Sequence, residues 1–165
     1  MTEPLDLDGE GCVRTATADD LPALRGFFAD YRRTISSFDS SIDADAPLQA
    51  DWVERPGDLF PFVIEHGGVP VGFAFVMGER YAAAIGQDVQ WVLYDLFVRP
   101  EQRGTGLARR ALLAICAQLT GTWSIDVFDA NSTAIGFYER ALVGHAPRRT
   151  QPEAAAPMTR FSFTT

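Results

Sequence analysis

The sequence predicts an α/β (α+β) fold: a mixed central sheet of about six to seven strands with helices on both faces. Three observations predict it. Apolar residues recur at helical spacing from Leu21 and again from Ala108. The near-continuous apolar run Trp91–Val98 has the character of a strand buried on both faces. A glycine-bearing loop joins that run to a helix and a further strand, which implies a crossover and at least one parallel strand pair.

Taken in order, residues 1–11 are polar and acidic and are expected to fray. Val13-Arg14-Thr15-Ala16 predicts a short strand. Thr17-Ala18-Asp19-Asp20 has the pattern of a helix N-cap with acids in the first turn. Leu21, Leu24, Phe28 and Tyr31 then mark an amphipathic helix. Residues 36–57 are rich in Ser, Asp and Pro and predict a loop, with a short helix around Leu48–Val53. Phe60–Glu65 predicts a strand despite Pro61, Gly67-Gly68 a hairpin turn, and Val69–Met77 the returning strand. Gly78–Asp88 predicts another loop. Pro100 stops the Trp91–Val98 strand, and Gly104 and Gly106 punctuate the loop that follows. Ala108, Leu112, Ile115 and Leu119 mark the next helix, which Gly121 ends. Trp123–Phe128 alternates as a strand. Asn131 or Ser132 caps a helix with Ala134, Phe137, Tyr138 and Ala141 on its apolar side. The chain after Gly144 is turn-like until Met158–Phe163, a last strand.

The 165 residues suit one domain spanning 1–165. No apolar run approaches the roughly 18 residues of a spanning helix, and the start lacks a signal pattern. The expectation is a soluble, cytoplasmic protein with no membrane partner. A net charge of −8 argues against nucleic acid as a partner. All fourteen basic residues are Arg, which excludes a catalytic Lys. Cys12 and Cys116 lie far apart, without metal-ligand spacing or a disulfide framework, so no metal site is expected. Cys116 sits in an apolar helical run and reads as a core residue.

The charge is unevenly spread. Arg99, Arg103, Arg109 and Arg110 fall within residues 99–110 against a single acid, Glu101. There a strand ends, glycines let the backbone turn, and a helix begins. The first N–H groups of a helix have no internal partners, and with the helix dipole they favour an anion such as phosphate. A Walker loop needs a Lys, which is absent. The dinucleotide fingerprint needs a third glycine where Arg109 stands.

Arg103-Gly104-Thr105-Gly106-Leu107-Ala108 resembles the Arg/Gln-x-x-Gly-x-Gly/Ala signature of the GNAT superfamily of N-acetyltransferases. Three further blocks extend the resemblance in the right order. Val13-Arg14-Thr15-Ala16-Thr17-Ala18-Asp19-Asp20-Leu21 resembles the family's usual start. Leu93-Tyr94-Asp95-Leu96-Phe97-Val98-Arg99-Pro100-Glu101 is similar to its fourth strand. Asn131-Ser132-Thr133-Ala134-Ile135-Gly136-Phe137-Tyr138-Glu139-Arg140 is similar to its downstream helix.

The resemblance implies a GNAT-like fold whose fourth and fifth strands splay apart to admit acetyl-CoA, the cosubstrate. The pyrophosphate would lie over Arg103, Gly104, Thr105, Gly106, Leu107 and Ala108, with Arg109 beside it. The pantetheine arm would borrow backbone groups of Leu96, Phe97 and Val98. Asn131 and Phe137 would contact the cofactor, although Asn131 also reads as a plain helix cap. Tyr138 would be the general acid that protonates the departing thiolate, its other reading being a packing residue.

Many relatives carry Glu where Tyr94 stands. Strand alternation puts Tyr94 and Asp95 on opposite faces, leaving Asp95 as a structural hydrogen-bond acceptor. The base is then Tyr94 through water, an acid of residues 36–57, or no residue. The family's first-helix loop often lines the acceptor groove, and here it carries Asp39, Asp43, Asp45, Asp51 and Glu54. The expected activity is acetylation of a primary amine, with a cationic small molecule favoured by that loop. A non-catalytic acetyl-CoA sensor and acetylation of a protein amine are the alternatives. Dimers are common among the proteins resembled, so a homodimer is compatible with the resemblance.

Overall fold

The computed structural model describes residues 3–165. Eight strands form one mixed sheet in the order β1-β2-β3-β4-β5-β6-β8-β7. The count exceeds the expected six to seven because β1 (Leu5–Asp6) and β7 (Arg148–Thr150) add short edges, too brief for alternation to be read. β1 pairs with β2 (Gly11–Thr15), and Leu7 is 4% exposed. The acidic leader therefore joins the sheet from Leu5 onward, and Met1 and Thr2 lie outside the described residues.

Arg14 stitches the opening of the chain to the sheet. Its guanidinium donates to both carboxylate oxygens of Asp20 at 2.8 Å and to Glu65 at 2.9 Å. Asp20 also accepts the Thr17 N–H at 2.8 Å, so the expected cap exists as a single turn before α1 (Leu21–Ser36). The Arg14 guanidinium holds the Asp20 carboxyl below its ordinary range.

β3 (Leu59–His66) and β4 (Val69–Met77) form the expected hairpin, with Gly67 and Gly68 both at positive φ (60° and 73°). Pro61 is tolerated because its carbonyl, and hence its missing N–H, faces the β2 side. It lies there just beyond the last β2–β3 pair, Thr15 with Phe62. α2 (Asp51–Glu54) is the short helix anticipated around Leu48–Val53, starting three residues later. α3 (Glu79–Ala84) replaces part of an expected loop, its first turn held by the Asp58 carboxylate on the Tyr81 N–H at 2.8 Å.

β5 (Trp91–Val98), α4 (Leu107–Gln118), β6 (Thr122–Phe128), α5 (Ser132–Ala141) and β8 (Met158–Thr164) complete the chain. α4 and α5 cover one face over Leu112, Ile115, Trp123, Ile125 and Phe161. α1, α2 and α3 cover the other over Leu24, Phe28, Phe73, Phe75 and Phe97. Cys116 is fully buried in the first core, as its helical context implied.

Two irregularities in β5 create the site. Parallel pairing with β6 runs only from Trp91 with Trp123 to Leu93 with Ile125. Beyond Leu93 the two strands share no ladder, which is the expected splay. On the other side, Asp95 faces Phe75 and Leu93 faces Val76. Tyr94 between them is the extra residue of a β-bulge.

Candidate functional site

A cavity of about 390 Å³ opens where the β5–β6 ladder stops. Aromatic rings wall much of it. Tyr94 stands edge-on to Trp52 (centroids 6.0 Å apart) and to Tyr81 (5.7 Å), and Phe28 packs behind Trp52 at 5.8 Å. The polar groups that border it, besides the Tyr81 and Tyr94 phenols, are Tyr31, Arg32, Gln87, Asp95, Asp126, Asn131 and Tyr138.

The bulge overturns the expected opposition of Tyr94 and Asp95. Val92 and Phe97 both sit in the α1–α3 core although they are five positions apart, an odd offset, so alternation slips once between them. Tyr94 reaches Trp52 and Tyr81, while Asp95 faces the Tyr31 phenol of α1 across the same cavity. Both side chains therefore face the same cavity. An extra strand residue resets the pleat, which a periodic reading of sequence does not reveal.

Asp95 is only 7% exposed. Burial pushes its carboxyl up to about 6, while the Tyr31 hydrogen bond and the Arg32 charge pull the other way. It is thus ionised at neutral pH yet readily protonated, the property wanted of a general base. Burial, then the nearby Asp95 charge, holds the Tyr138 phenol well above its ordinary range, so Tyr138 keeps its proton. The Tyr94 phenol, in a residue 43% exposed, is also raised, chiefly by burial. A carboxylate able to take a proton and a phenol able to give one thus border one cavity.

The glycine loop lies past the end of β5. Gly104 and Gly106 have φ of 76° and 79°, in the left-handed region that favours glycine. Gly106 is the N-cap of α4, and a Cβ added at Gly104 would meet nothing within 4 Å. The backbone is therefore open at Gly104, while at Gly106 the Arg110 guanidinium lies alongside and donates to the Thr105 carbonyl at 3.1 Å, which places a cation at the helix start where an anion would sit. Leu107 is buried, its side chain packed into the α4–α5 core and its N–H donating to the Thr105 hydroxyl oxygen at 3.3 Å. The Arg103 Nε donates to the Val98 carbonyl at 3.1 Å, and its guanidinium lies 5.7 Å from the Phe97 ring centroid. The Thr105 hydroxyl donates to the Gln102 carbonyl at 2.8 Å, and Arg109 is exposed.

Of the residues singled out in the sequence, Tyr94, Leu96, Asn131 and Tyr138 meet at the cavity. The Asn131 Oδ1 accepts the Ala134 N–H at 3.1 Å, so it is a helix cap that also borders the cavity. Phe97 and Val98 turn their side chains into the two cores and leave only backbone on the cofactor side. Phe137 packs on Tyr138 at 5.0 Å and away from the cavity. The acids of residues 36–57 do not line it. Asp39 and Asp43 accept neighbouring N–H groups, Asp51 pairs with Arg55, and Asp45 and Glu54 are exposed. That loop contributes Ile42 and Trp52 instead. Tyr31 and Arg32 join the site without any signal in the sequence. Tyr31 occupies one more apolar position of α1, and nothing in the pattern separates it from Phe28.

A mixed sheet with one parallel pair that parts midway, a glycine-relaxed helix start at the end of the parting strand, and a buried carboxylate and phenol bordering the gap are the features of an acyltransferase of this fold. The family model described as Acetyltransferase (GNAT) family matches residues 21–142, and the chain belongs to that family. A curated relative, phosphinothricin N-acetyltransferase from Alcaligenes faecalis, is 28% identical over 129 residues, 74% of this chain. The chain matches 64% of that relative's length. Among solved structures, AAC(6')-Ib with ribostamycin and coenzyme A superposes with a TM-score of 0.70 at 19% identity, covering 94% of each chain. An acetyltransferase from Thermus thermophilus gives 0.69 at 18% identity, covering 95% of this chain and 98% of the other. No helix among the described residues is long and apolar enough to cross a membrane.

Proposed function

We propose that the protein transfers the acetyl group of acetyl-CoA to the primary amine of a small molecule by direct attack. The observation that carries this is the parting of β5 from β6 between the glycine loop and Tyr138. It leaves an extended backbone edge free of a ladder, which suits a pantetheine arm acting as a further strand. The diphosphate rests on the N–H groups of residues 104–109. The thioester carbonyl points at a backbone N–H of β5 near the bulge, a donor that stabilises the developing oxyanion.

The acceptor enters the cavity as the free amine, its ammonium proton having gone to bulk water. Nitrogen attacks the carbonyl carbon, and the C–N bond forms. Asp95 receives the proton the nitrogen must lose. The C–S bond breaks, and the sulfur takes a proton from the Tyr138 phenol. The proton gained by Asp95 and the one lost by Tyr138 balance through solvent, giving amide and free coenzyme A. Asp95 thus takes the base role considered for Tyr94, whose ring forms part of the acceptor wall. The only motive for a non-catalytic acetyl-CoA sensor is Tyr94 standing in place of a carboxylate. Asp95 on the same cavity removes that motive.

Thiol release from acetyl-CoA with a panel of primary amines tests the reading. Tyr138→Phe should cut kcat by about 10²–10⁴-fold while leaving coenzyme A affinity within about twofold. Equal turnover by the variant would remove Tyr138 from the mechanism.

A further inference from the structure

We infer that the acceptor carries a carboxylate as well as its amine, and that Arg32 is the residue that selects it. This deepens the acetyl-transfer reading and rests on it. Arg32 is the only cationic side chain among the described residues that border the cavity. It follows Tyr31 on α1 and turns into the same space as Asp95. Its charge lies close enough to Asp95 and Tyr94 to favour ionisation of both.

The guanidinium is held from one side. Its Nε and Nη2 donate to the Asp43 carbonyl at 2.9 and 2.6 Å, and it lies 6.0 Å from the Phe28 ring centroid. Those contacts leave Nη1 for a further acceptor. Among the described residues no carboxylate pairs with Arg32, whereas its neighbour Arg33 pairs with Asp30 at 2.7 Å. The second acid at the cavity, Asp126, is neutralised by a two-pronged pair with Arg160 at 2.7 Å on each prong. What remains is an anchored cation on the α1 wall and a buried carboxylate without a cationic partner at the β5 bulge.

That polarity does not suit a polyamine, the acceptor that the acid-rich loop suggests. A polycation would meet Arg32, and the loop's acids lie off the cavity. A molecule with an amine at one end and a carboxylate a few bonds away matches both poles. Its amine sits near Asp95, its carboxylate takes Nη1 of Arg32 in a charge-assisted hydrogen bond, and its side chain lies against Trp52 and Tyr94. The chemical class is an amino acid with an apolar or aromatic side chain.

Matched pairs isolate the carboxylate: phenylalanine against phenylalaninamide, and methionine against methioninamide, each with acetyl-CoA at saturation. The wild type should favour the acid over the amide by about 10–100-fold in kcat/KM. Arg32→Gln should bring that ratio close to one, chiefly through KM of the acid, and Arg32→Lys should restore part of it. A wild type that prefers the amide, spermidine or kanamycin overturns the inference, as does an Arg32→Gln variant with an unchanged ratio. If coenzyme A binds but neither member of either pair is acetylated, the inference falls while the acetyl-CoA reading stands. Absence of coenzyme A binding would instead sink the reading beneath it.

Discussion

Replacing Asp95 with Asn should make the folded protein more stable while it disables the base. The carboxyl ionises at about 6 in the folded chain against 3.8 when exposed. The sign follows from proton counting. Between those values the native state holds more protons than the unfolded chain, so stability falls as pH rises through that window. Below 3.8 Asp95 is neutral in both states and costs nothing by ionisation; above 6 the full cost is present. At 1.36 kcal/mol per tenfold change in ionisation, that cost is about 3 kcal/mol at neutral pH. An Asn amide is close in shape and can keep the Tyr31 hydrogen bond without the charge. Asp95→Asn should therefore be stabilised by up to about 3 kcal/mol at pH 8 and by little at pH 4. In a chain of this length that is a rise in Tm of about 5–10 °C at pH 8. Urea unfolding of both proteins at pH 4 and pH 8 measures it. A variant that loses stability equally at both pH values would refute the reasoning, because ionised Asp95 would then carry no burial cost.

The same titration should appear in catalysis: kcat/KM should rise with pH along a limb of apparent pKa near 6, and Asp95→Asn should lose that limb and most of its turnover. No falling limb is expected below about pH 10, because the Tyr138 phenol keeps its proton. Gly72 of β4 lies against the β5 backbone, and a Cβ there would sit 2.3 Å from the Phe97 carbonyl oxygen. Gly72→Ala should cost about 1–3 kcal/mol through overpacking, read as a lower Tm, and should weaken coenzyme A binding by displacing β5.

Much of the fold was legible because single local signals agreed. Leu21–Tyr31 and Ala108–Leu119 carry helical periodicity, and Gly67-Gly68 marks a hairpin between two apolar runs. α3 was hidden because Glu79–Ala84 is only six residues long, between Gly78 and Gly86, too short for helical periodicity to show, and its first turn is held by the distant Asp58. β7 is a polar edge that exists only by pairing with β8. The glycine loop and Tyr138 were legible as motif. The bulge was not, since Trp91–Val98 is apolar nearly throughout and offers no alternation from which a slip could be seen. Asp95, Tyr31 and Arg32 therefore came together only in three dimensions, from one strand irregularity and the face that α1 presents to it.

Calorimetric titration of the purified protein with coenzyme A bears most directly on the claim that the glycine-relaxed start of α4 holds a diphosphate. One coenzyme A per chain should bind, and Gly106→Val, which forces a β-branched side chain into φ of 79°, should weaken binding by at least about tenfold. Pantetheine, which lacks the diphosphate, should bind far more weakly than coenzyme A to the wild type. Absence of binding, or equal affinity for coenzyme A in wild type and Gly106→Val, would contradict the claim.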